Sequence, residues 1–331
     1  MKTEAWNPGK LLGLSGNYWM ACALHAGVKL ELFTVIGDQS LSNQEIAQKL
    51  DGDPRGVAML LNALSAMELL TKKEALYSNT PFSRSFLVRK APQYLGYMIM
   101  HHHHLMESWT HLDLGVKTGK PLRGKASFSQ EAWRENFLMG MFNMAMMLAP
   151  RIVPKIDLST RRSFLDMSGG PGTYAIQFCL NNPGMQAVVF DLPTTRPFAE
   201  TTIGKYGLSD RIRFQAGSYL KDPVEGRYDV AWLSHILHGE GPDDCQGIIQ
   251  KAVSALSPGG MILIHEFILN NEMSGPLFPA LFSLNMLLGT ASGQAYSEQQ
   301  LSNMLTGAGV RNIHRIAIDS PNDSGIIAGV V

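Results

Sequence analysis

The sequence is poor in cysteine and has no excess of either charge, and each shortage argues against a class of protein. Only three of the 331 residues are cysteines. Cys22, Cys179 and Cys245 lie far apart in apolar or helical contexts, so we expect small buried residues and neither disulfides nor a metal-binding motif. The 28 basic and 28 acidic residues balance, whereas a protein that neutralises many phosphates carries a basic excess. The composition therefore argues against a nucleic-acid partner.

The sequence also lacks the features of an exported or membrane protein. Its first ten residues, MKTEAWNPGK, are too polar for a signal peptide. We expect no apolar stretch to reach the roughly 18 residues that a membrane helix needs. The chain is longer than one hydrophobic core usually serves, so two domains are expected. These features together predict a cytoplasmic enzyme without membrane contact.

The most informative stretch runs from Ser163 to Pro193. An apolar run typical of a buried parallel strand, Ser163–Met167, leads directly into the glycine-rich segment Ser168–Gly172. A helical segment follows, and a second apolar run ends at Asp191. Glycine allows a sharp turn and the close approach of a ligand, and an acidic residue after the second strand can accept hydrogen bonds from both ribose hydroxyls. This order predicts a nucleoside-cofactor site.

The glycine spacing argues against a nicotinamide dinucleotide, which needs G-x-G-x-x-G. The residues after Gly172, TYA, do not supply the third glycine. The pattern D-x-x-G-G-x-G followed by D-L-P instead resembles the nucleotide loop of S-adenosylmethionine-dependent methyltransferases. Within them it is most similar to the small-molecule O-methyltransferases that act on caffeate, acetylserotonin and hydroxyindoles, in their bacterial branch. The resemblance covers nearly the whole chain.

The resemblance implies a fold and a domain order. It implies an α/β fold in which a Rossmann-like sheet of seven strands, the last hairpin antiparallel, follows a mostly helical, winged-helix-like dimerisation domain. The implied segments are a dimerisation domain at 1–92, a helical linker that contributes to the substrate pocket at 93–150, and the S-adenosylmethionine-binding domain at 151–331. A homodimer formed through the first domain follows from the same resemblance.

The pattern of the first 92 residues itself outlines a winged helix. We expect one apolar helix at Tyr18–Val35, a helix opened by a capping box between Ser42 and Glu45, and another helix from Pro54. A small hairpin that includes Leu76 would form the wing. Such a module binds DNA or pairs protein chains. The zero net charge and the lack of a basic recognition helix favour pairing.

Four consecutive histidines, His101 to His104, suggest a metal site. Successive residues on a helix point about 100° apart, so at most two of them can share one ion. We therefore expect no metal there, and a helix that partly lines the domain junction.

The resemblance implies cofactor contacts at the strand ends, with three departures from the family pattern. Ser218 replaces an aspartate that contacts the adenine amino group, and Ser234 replaces a lysine that plant members carry near the adenine. Ser168 replaces the first loop glycine, and a small residue is tolerable there provided that its φ stays negative. The implied cofactor-binding residues are Asp166, Ser168, Gly169, Gly170, Gly172, Asp191, Leu192, Gly217, Ser218, Tyr219, Ser234 and His235.

The resemblance makes His238 the general base, which takes the hydroxyl proton of the acceptor as its oxygen attacks the methyl carbon. An imidazole suits this role because it titrates near neutral pH. Gly239 and Glu240 replace the family's Asp-Trp, and Ala295 stands where many members have a glutamate that orients the histidine. Glu240, Glu266 or another group then substitutes for that glutamate, or His238 is not a base.

Two apolar helices, at Phe137–Leu148 and Phe278–Gly289, resemble the substrate-facing helices of the family. Flexible methionine side chains adapt to flat apolar ligands, although ordinary core packing would explain the same residues equally well. The implied pocket residues are Phe142, Asn143, Met146, Phe282, Asn285 and Met286.

The sequence thus predicts an S-adenosylmethionine-dependent methyltransferase that releases S-adenosylhomocysteine and methylates a hydroxyl of a small, planar metabolite. Transfer to carbon or nitrogen by positioning alone is an alternative within enzymes. A non-catalytic regulator that senses a ligand and binds DNA through its winged helix is the alternative from another class.

Overall fold

The structure, a computed structural model, describes residues 5–125 and 130–331. It divides into two compact units. The first unit comprises the chain up to Leu105 together with Glu135–Asn143, and the second comprises Met106–Arg134 together with Met144–Val331. The segment 93–150 contributes to both units. The three predicted domain bounds stay a prediction.

The first unit is mostly helical. Its three strands form an antiparallel sheet in the order β1-β3-β2, and the pairing of β2 with β3 confirms the predicted hairpin. The strands are β1 Ser40–Ser42, β2 Leu70–Lys73 and β3 Leu76–Asn79. The helices are α1 Pro8–Gly16, α2 Tyr18–Lys29, α3 Leu32–Ile36, α4 Asn43–Leu50, α5 Pro54–Ala66 and α6 Pro81–Phe86, and α7 Gly96–Trp109 begins in this unit.

Local sequence signals define several of these helices. The predicted capping box is confirmed: the Ser42 hydroxyl accepts a hydrogen bond from the backbone N–H of Glu45, and the Glu45 carboxylate accepts one from that of Ser42 at 2.7 Å. Asp53 caps α5 by accepting a hydrogen bond from the N–H of Gly56 at 2.8 Å. The four histidines lie on α7, as predicted for a helix.

The single helix predicted at Tyr18–Val35 is wrong, because the chain breaks between α2 and α3. Glu31 has a φ of +53° there, which a continuous helix cannot accommodate. The first half of α2 is exposed, so the expectation that Cys22 is buried is also wrong. Large apolar side chains before and within α2 are exposed in the same way, and they are Trp6, Leu11, Leu12, Leu14, Tyr18, Trp19 and Met20. We call this set the N-terminal apolar surface.

A long helix, α9 Glu131–Ile152, follows the short α8 Leu112–Thr118. Among the described residues, its extension Glu131–Lys155 is the one segment that is long and apolar enough to cross a membrane by length and composition. The expectation that no apolar stretch reaches this length is therefore wrong. The core helix of a soluble protein passes the same test, and buried residues such as Leu138 and Ile152 lie along α9.

The second unit contains the large sheet, in the order β10-β11-β8-β7-β4-β5-β6, with the short β9 beside β8. In this sheet order, the neighbouring strands β8, β7, β4, β5 and β6 pair in parallel, whereas β11 is antiparallel to both β8 and β10. This topology confirms the predicted fold class. The strands are β4 Ser163–Met167, β5 Gln186–Asp191, β6 Ile212–Ala216, β7 Tyr228–Ser234, β8 Leu256–Leu269, β9 Tyr296–Ser297, β10 Arg311–Ile316 and β11 Ser324–Val330. The helices are α10 Thr173–Asn181, α11 Arg196–Lys205, α12 Pro242–Ser254, α13 Leu277–Gly289 and α14 Glu298–Gly307.

The strand order reverses at β4, which pairs with β5 on one side and β7 on the other. Fully buried residues from these strands, including Leu165 and Leu233, form the core beneath this point. Because the strands from β6 to β8 are parallel, the loops that follow them open at one edge of the sheet. Open α/β sheets bind ligands at such a reversal, beyond the carboxyl ends of the strands.

Candidate active site

The glycine turn after β4 adopts the sharp conformation that its sequence predicts. Gly170 and Gly172 have φ values of +56° and +81°. Ser168 also has a positive φ, +55°, so the condition of a negative φ set for a serine there is not met. Its N–H donates to the Phe190 carbonyl at 2.7 Å, a bond that holds the serine in the left-handed region.

Asp166, at the end of β4, is buried beneath this turn. One carboxyl oxygen accepts a hydrogen bond from the N–H of Ala175 at 3.0 Å, and the other has no hydrogen bond among the described residues. Burial raises the pKa of Asp166 to about 7. A Cβ at Gly169 would lie 2.5 Å from the carboxyl carbon of Asp166, so only glycine fits the turn here.

Asp191, at the end of β5, is fixed in place by the same turn. One carboxylate oxygen accepts from the N–H of Gly170 at 2.8 Å, and the other accepts from the N–H of Leu192 at 2.6 Å and the hydroxyl of Thr195 at 3.0 Å. Burial raises the pKa of Asp191 from its usual value, and these hydrogen bonds act against the rise. The turn and the aspartate thus form one hydrogen-bonded unit.

The loop after β6 lies against β5. A Cβ at Gly217 would lie 2.4 Å from the Phe190 ring, so glycine is required for this approach. The N–H of Ser218 donates to the carboxylate of Asp222 at 2.8 Å. The hydroxyl of Tyr219 donates to the carboxylate of Glu240 at 2.6 Å, which links the loops after β6 and β7.

Ser234 is the last residue of β7, and both it and the following His235 lie beside a buried histidine. The Ser234 hydroxyl lies 3.0 Å from Nδ1 of His265, and burial lowers the pKa of His265 well below its usual value. His235 has a φ of +55°, and its ring lies 4.2 Å from that of Phe267 between centroids. The strand ends thus bring together predicted residues from the loops after β4, β5, β6 and β7.

His238 and Glu266 form a close imidazole–carboxylate pair. Nδ1 of His238 lies 2.7 Å from Oε2 of Glu266, and Oε1 accepts from the N–H groups of Leu237 and His238 at 2.9 and 3.3 Å. A carboxylate only accepts, so the pair assigns the proton to Nδ1. Nε2 has no hydrogen bond among the described residues. Of the alternatives left open for the missing glutamate at Ala295, Glu266 is the group that contacts the histidine.

The charge state of Glu266 follows from its neighbours. Burial opposes its ionisation, but the imidazoles of His238 and His235 outweigh burial and hold the pKa of Glu266 well below its usual range. The register explains the contact: β8 runs parallel to β7 and pairs His265 with Ser234, so Glu266 arrives at the edge from which His238 extends. Sequence reasoning named Glu266 only as one substitute, because this register is not visible in the sequence.

Aromatic rings surround His238 on one side. The ring of Phe282 lies 4.7 Å from the imidazole and 4.6 Å from the ring of Phe267, and Phe278 lies 5.0 Å from Phe267. Phe282 was a predicted pocket residue, whereas Phe267 and Phe278 were not in the predicted set. Met286, one turn further along α13, is buried.

The other predicted pocket residues have structural contacts of their own. The amide oxygen of Asn285 accepts from Arg123 at 2.7 Å and from the indole of Trp109 at 3.2 Å. The sulfur of Met146 accepts from the amide of Gln177 at 3.5 Å. Phe142 is buried in the first unit, where the Asn143 amide donates to the Tyr94 carbonyl at 2.6 Å. Their pocket role stays a prediction.

His235, His238 and Glu266 also form the one group in residues 5–125 and 130–331 whose ligand atoms have metal-like spacing, within 4.8 Å of one another. The four histidines of α7 are not part of it. Glu266 already accepts hydrogen bonds from His238 and from backbone N–H groups, so we assign the cluster to orienting the imidazole.

Comparisons with known proteins agree with this geometry. Residues 118–311 match the model of an O-methyltransferase domain, and residues 12–89 match that of an O-methyltransferase dimerisation domain. The chain is 30% identical to 3-hydroxy-5-methyl-1-naphthoate 3-O-methyltransferase of Streptomyces sahachiroi, over 98% of this chain and 95% of that protein. It is 27% identical to N,N-dimethyltransferase OxyT of Streptomyces rimosus, over 92% of each. The solved structure of PigF with SAH, a Serratia protein, superposes with a TM-score of 0.89 at 27% identity, over 98% of this chain and 100% of that chain.

We expect Glu266→Gln to destabilise the fold at neutral pH by about 1–3 kcal/mol, because a neutral amide with a single acceptor oxygen cannot replace the buried carboxylate. The folded-state pKa is lowered, so the carboxylate contributes fully above its usual value of 4.5 and less as the pH falls below it. The difference from wild type, measured by urea unfolding, should therefore shrink in acid. Glu272→Gln, at an exposed position, is the control and should stay within about 0.5 kcal/mol. Equal stability of Glu266→Gln and wild type at neutral pH would contradict this.

Proposed function

The chain belongs to the O-methyltransferase family that carries a dimerisation domain, and it is an S-adenosylmethionine-dependent methyltransferase; from this premise we propose that it methylates a hydroxyl group on a small, flat aromatic acceptor, with His238 as the base. The observation that carries the proposal is the pairing of His238 with Glu266, which leaves Nε2 beside the ring of Phe282 without a hydrogen bond to any described residue.

The residues at the strand ends fit a nucleoside cofactor. The glycine turn leaves no room for a side chain at Gly169, and the buried Asp166 beneath it has a carboxyl oxygen that no residue in the described part of the chain contacts by a hydrogen bond. We propose that Asp191 accepts hydrogen bonds from the ribose and that the turn and the loop after β6 hold the remainder, as predicted. S-adenosylmethionine supplies a methyl carbon made electrophilic by its sulfonium.

The role of His238 follows from its tautomer. With the proton on Nδ1 held by Glu266, Nε2 has a lone pair that can take the proton of an acceptor hydroxyl. Glu266 then stabilises the imidazolium that forms, because it stays ionised at neutral pH. The base makes a more nucleophilic oxygen, and such catalysis typically contributes about 10²–10⁴-fold in rate.

The acceptor class is supported by the rings around the base. Phe267, Phe278 and Phe282 offer apolar faces that suit a flat aromatic ring. The naphthoate in the name of one relative belongs to the same chemical class. Another relative is named for dimethylation of nitrogen, so nitrogen is the second candidate for the acceptor atom. A nitrogen acceptor with a free lone pair would need no base.

We also propose a homodimer formed through the first unit. From Leu12 onward, the N-terminal apolar surface belongs to the segment that matches a dimerisation domain, and Leu12 and Trp19 are 72% and 69% exposed. Several large apolar side chains exposed within one short segment are typical of an interaction site. The cytoplasmic location expected from the sequence stays a prediction.

Asp191→Ala should abolish detectable binding of S-adenosylmethionine and S-adenosylhomocysteine in calorimetric titrations. The loss of charged hydrogen bonds to the ribose would weaken binding by roughly 100-fold or more. Asp191→Asn, which keeps the shape and one acceptor oxygen, should bind with intermediate affinity. Unchanged affinity in a folded Asp191→Ala protein would refute the ribose role.

His238→Ala should lower kcat by about 10²–10⁴-fold while the affinity for S-adenosylhomocysteine stays within about twofold of wild type. The acid limb of the pH–rate profile, which reports protonation of the base, should disappear with the imidazole. Activity equal to wild type at every pH would eliminate the base role and favour a nitrogen acceptor.

The double variant Leu12→Lys with Trp19→Lys should be monomeric, because two charges in the N-terminal apolar surface oppose its burial. The measurement is the molar mass by light scattering after size exclusion. Leu180→Lys is the matched control, since Leu180 is an exposed leucine of the second unit. A dimeric double variant would place the interface elsewhere.

A further inference from the structure

A buried carboxylate that has no part in the proposed proton transfer lies between the loops after β6 and β7. Oε1 of Glu240 accepts hydrogen bonds from both the Tyr219 hydroxyl and the ammonium of Lys125. Glu240 is 6% exposed. Burial and the neighbouring carboxylate raise the pKa of Tyr219, so its phenol stays protonated and donates. Two donors thus converge on one oxygen of Glu240.

The second oxygen, Oε2, has no hydrogen bond to any described residue. The backbone around it is fixed: the hydroxyl of Tyr296 donates to the Glu240 carbonyl at 2.6 Å, and the N–H of Glu240 donates to the carbonyl of Leu237. The Glu240 side chain keeps 8% of its surface exposed, so Oε2 can accept a hydrogen bond from water or from a ligand. Oε2 is therefore an acceptor in a fixed position.

The strand order indicates which part of the cofactor lies near Glu240. The sheet runs β7-β4-β5-β6. With the reacting methyl near His238 after β7 and the ribose on Asp191 after β5, the base must extend from the ribose toward the loop after β6. Tyr219 belongs to that loop, and Glu240 contacts it. Glu240 therefore lies at the base end of the site.

Adenine differs from other purine bases in the donor at its edge. Its exocyclic amino group donates hydrogen bonds, whereas a 6-oxo group only accepts and would be repelled by a carboxylate. Ser218, expected at this edge, has no charge, and its N–H is already bonded to Asp222. Glu240 offers a carboxylate oxygen that has no hydrogen bond to any described residue, and Tyr219 and Lys125 hold its other oxygen in place.

We propose that Glu240 recognises the exocyclic amino group of the adenine through Oε2, while Tyr219 and Lys125 hold Oε1. This inference rests on the proposed function, because it assumes that the adenosyl group binds at Asp191. It makes Glu240 a determinant of cofactor specificity that replaces a charge missing at Ser218.

The test compares the binding of two nucleosides by calorimetry. One is S-adenosylhomocysteine, and the other is its analogue with hydrogen in place of the 6-amino group. Wild type should bind the analogue about 10-fold to 100-fold more weakly, the range expected for loss of a hydrogen bond to a charged group. In Glu240→Gln the amide oxygen stays on Tyr219 and Lys125, which leaves an NH₂ group that cannot accept from adenine. The ratio of the two dissociation constants should then fall to about one.

Two controls separate recognition from general damage to the loop. Lys125→Met removes a partner of Glu240 but keeps the carboxylate, and Asp222→Asn neutralises the other nearby carboxylate. Both variants should keep the wild-type ratio even if the absolute affinity changes. Three results would each overturn the inference: wild type binds both nucleosides equally, Glu240→Gln discriminates between them as well as wild type does, or Asp222→Asn no longer discriminates. Equal binding by wild type overturns it even if a variant fails to fold. If wild type binds neither nucleoside, the cofactor assignment itself fails, and that outcome is distinct from binding without discrimination.

Discussion

The buried carboxylate of Glu266 determines the shape of the loop after β7. Its two oxygens accept from the backbone N–H groups of Leu237 and His238 and from the His238 ring. These bonds are formed in a fully buried position, where an unsatisfied charge would be costly. The same loop then presents Glu240 to the loop after β6. One buried ion thus positions both the proposed base and the proposed adenine contact.

Much of the fold could be predicted from the sequence because its signals are local. The strand β4 begins and ends where the apolar run does, and the capping box at Ser42 forms as its spacing indicates. The failures are conformational or distant. The break between α2 and α3 requires a positive φ at Glu31, where the sequence has no glycine to indicate it. The positive φ of Ser168 depends on a hydrogen bond to the neighbouring strand. Glu266 and His238 are separated by 28 positions, and only the register of β7 with β8 brings them together.

The departures from the family pattern share one physical explanation. The loops after neighbouring parallel strands converge at one edge, so a charge lost from one loop can be supplied by another. Ala295 lacks a carboxylate, and Glu266 contacts the imidazole instead. Ser218 lacks one as well, and Glu240 lies against the adjacent Tyr219. In the proposed site, the charges therefore come from positions other than those of the family pattern.

The carboxyl group of Asp166, beneath the glycine turn, titrates near neutrality because it is buried. A positively charged ligand that binds at the turn favours the ionised form, so binding near neutral pH is accompanied by release of a fraction of a proton. The buffer takes up this proton with its own enthalpy of ionisation. The heat of binding at pH 7 should thus depend on the buffer for the sulfonium form of the cofactor, and less so for its uncharged-sulfur product.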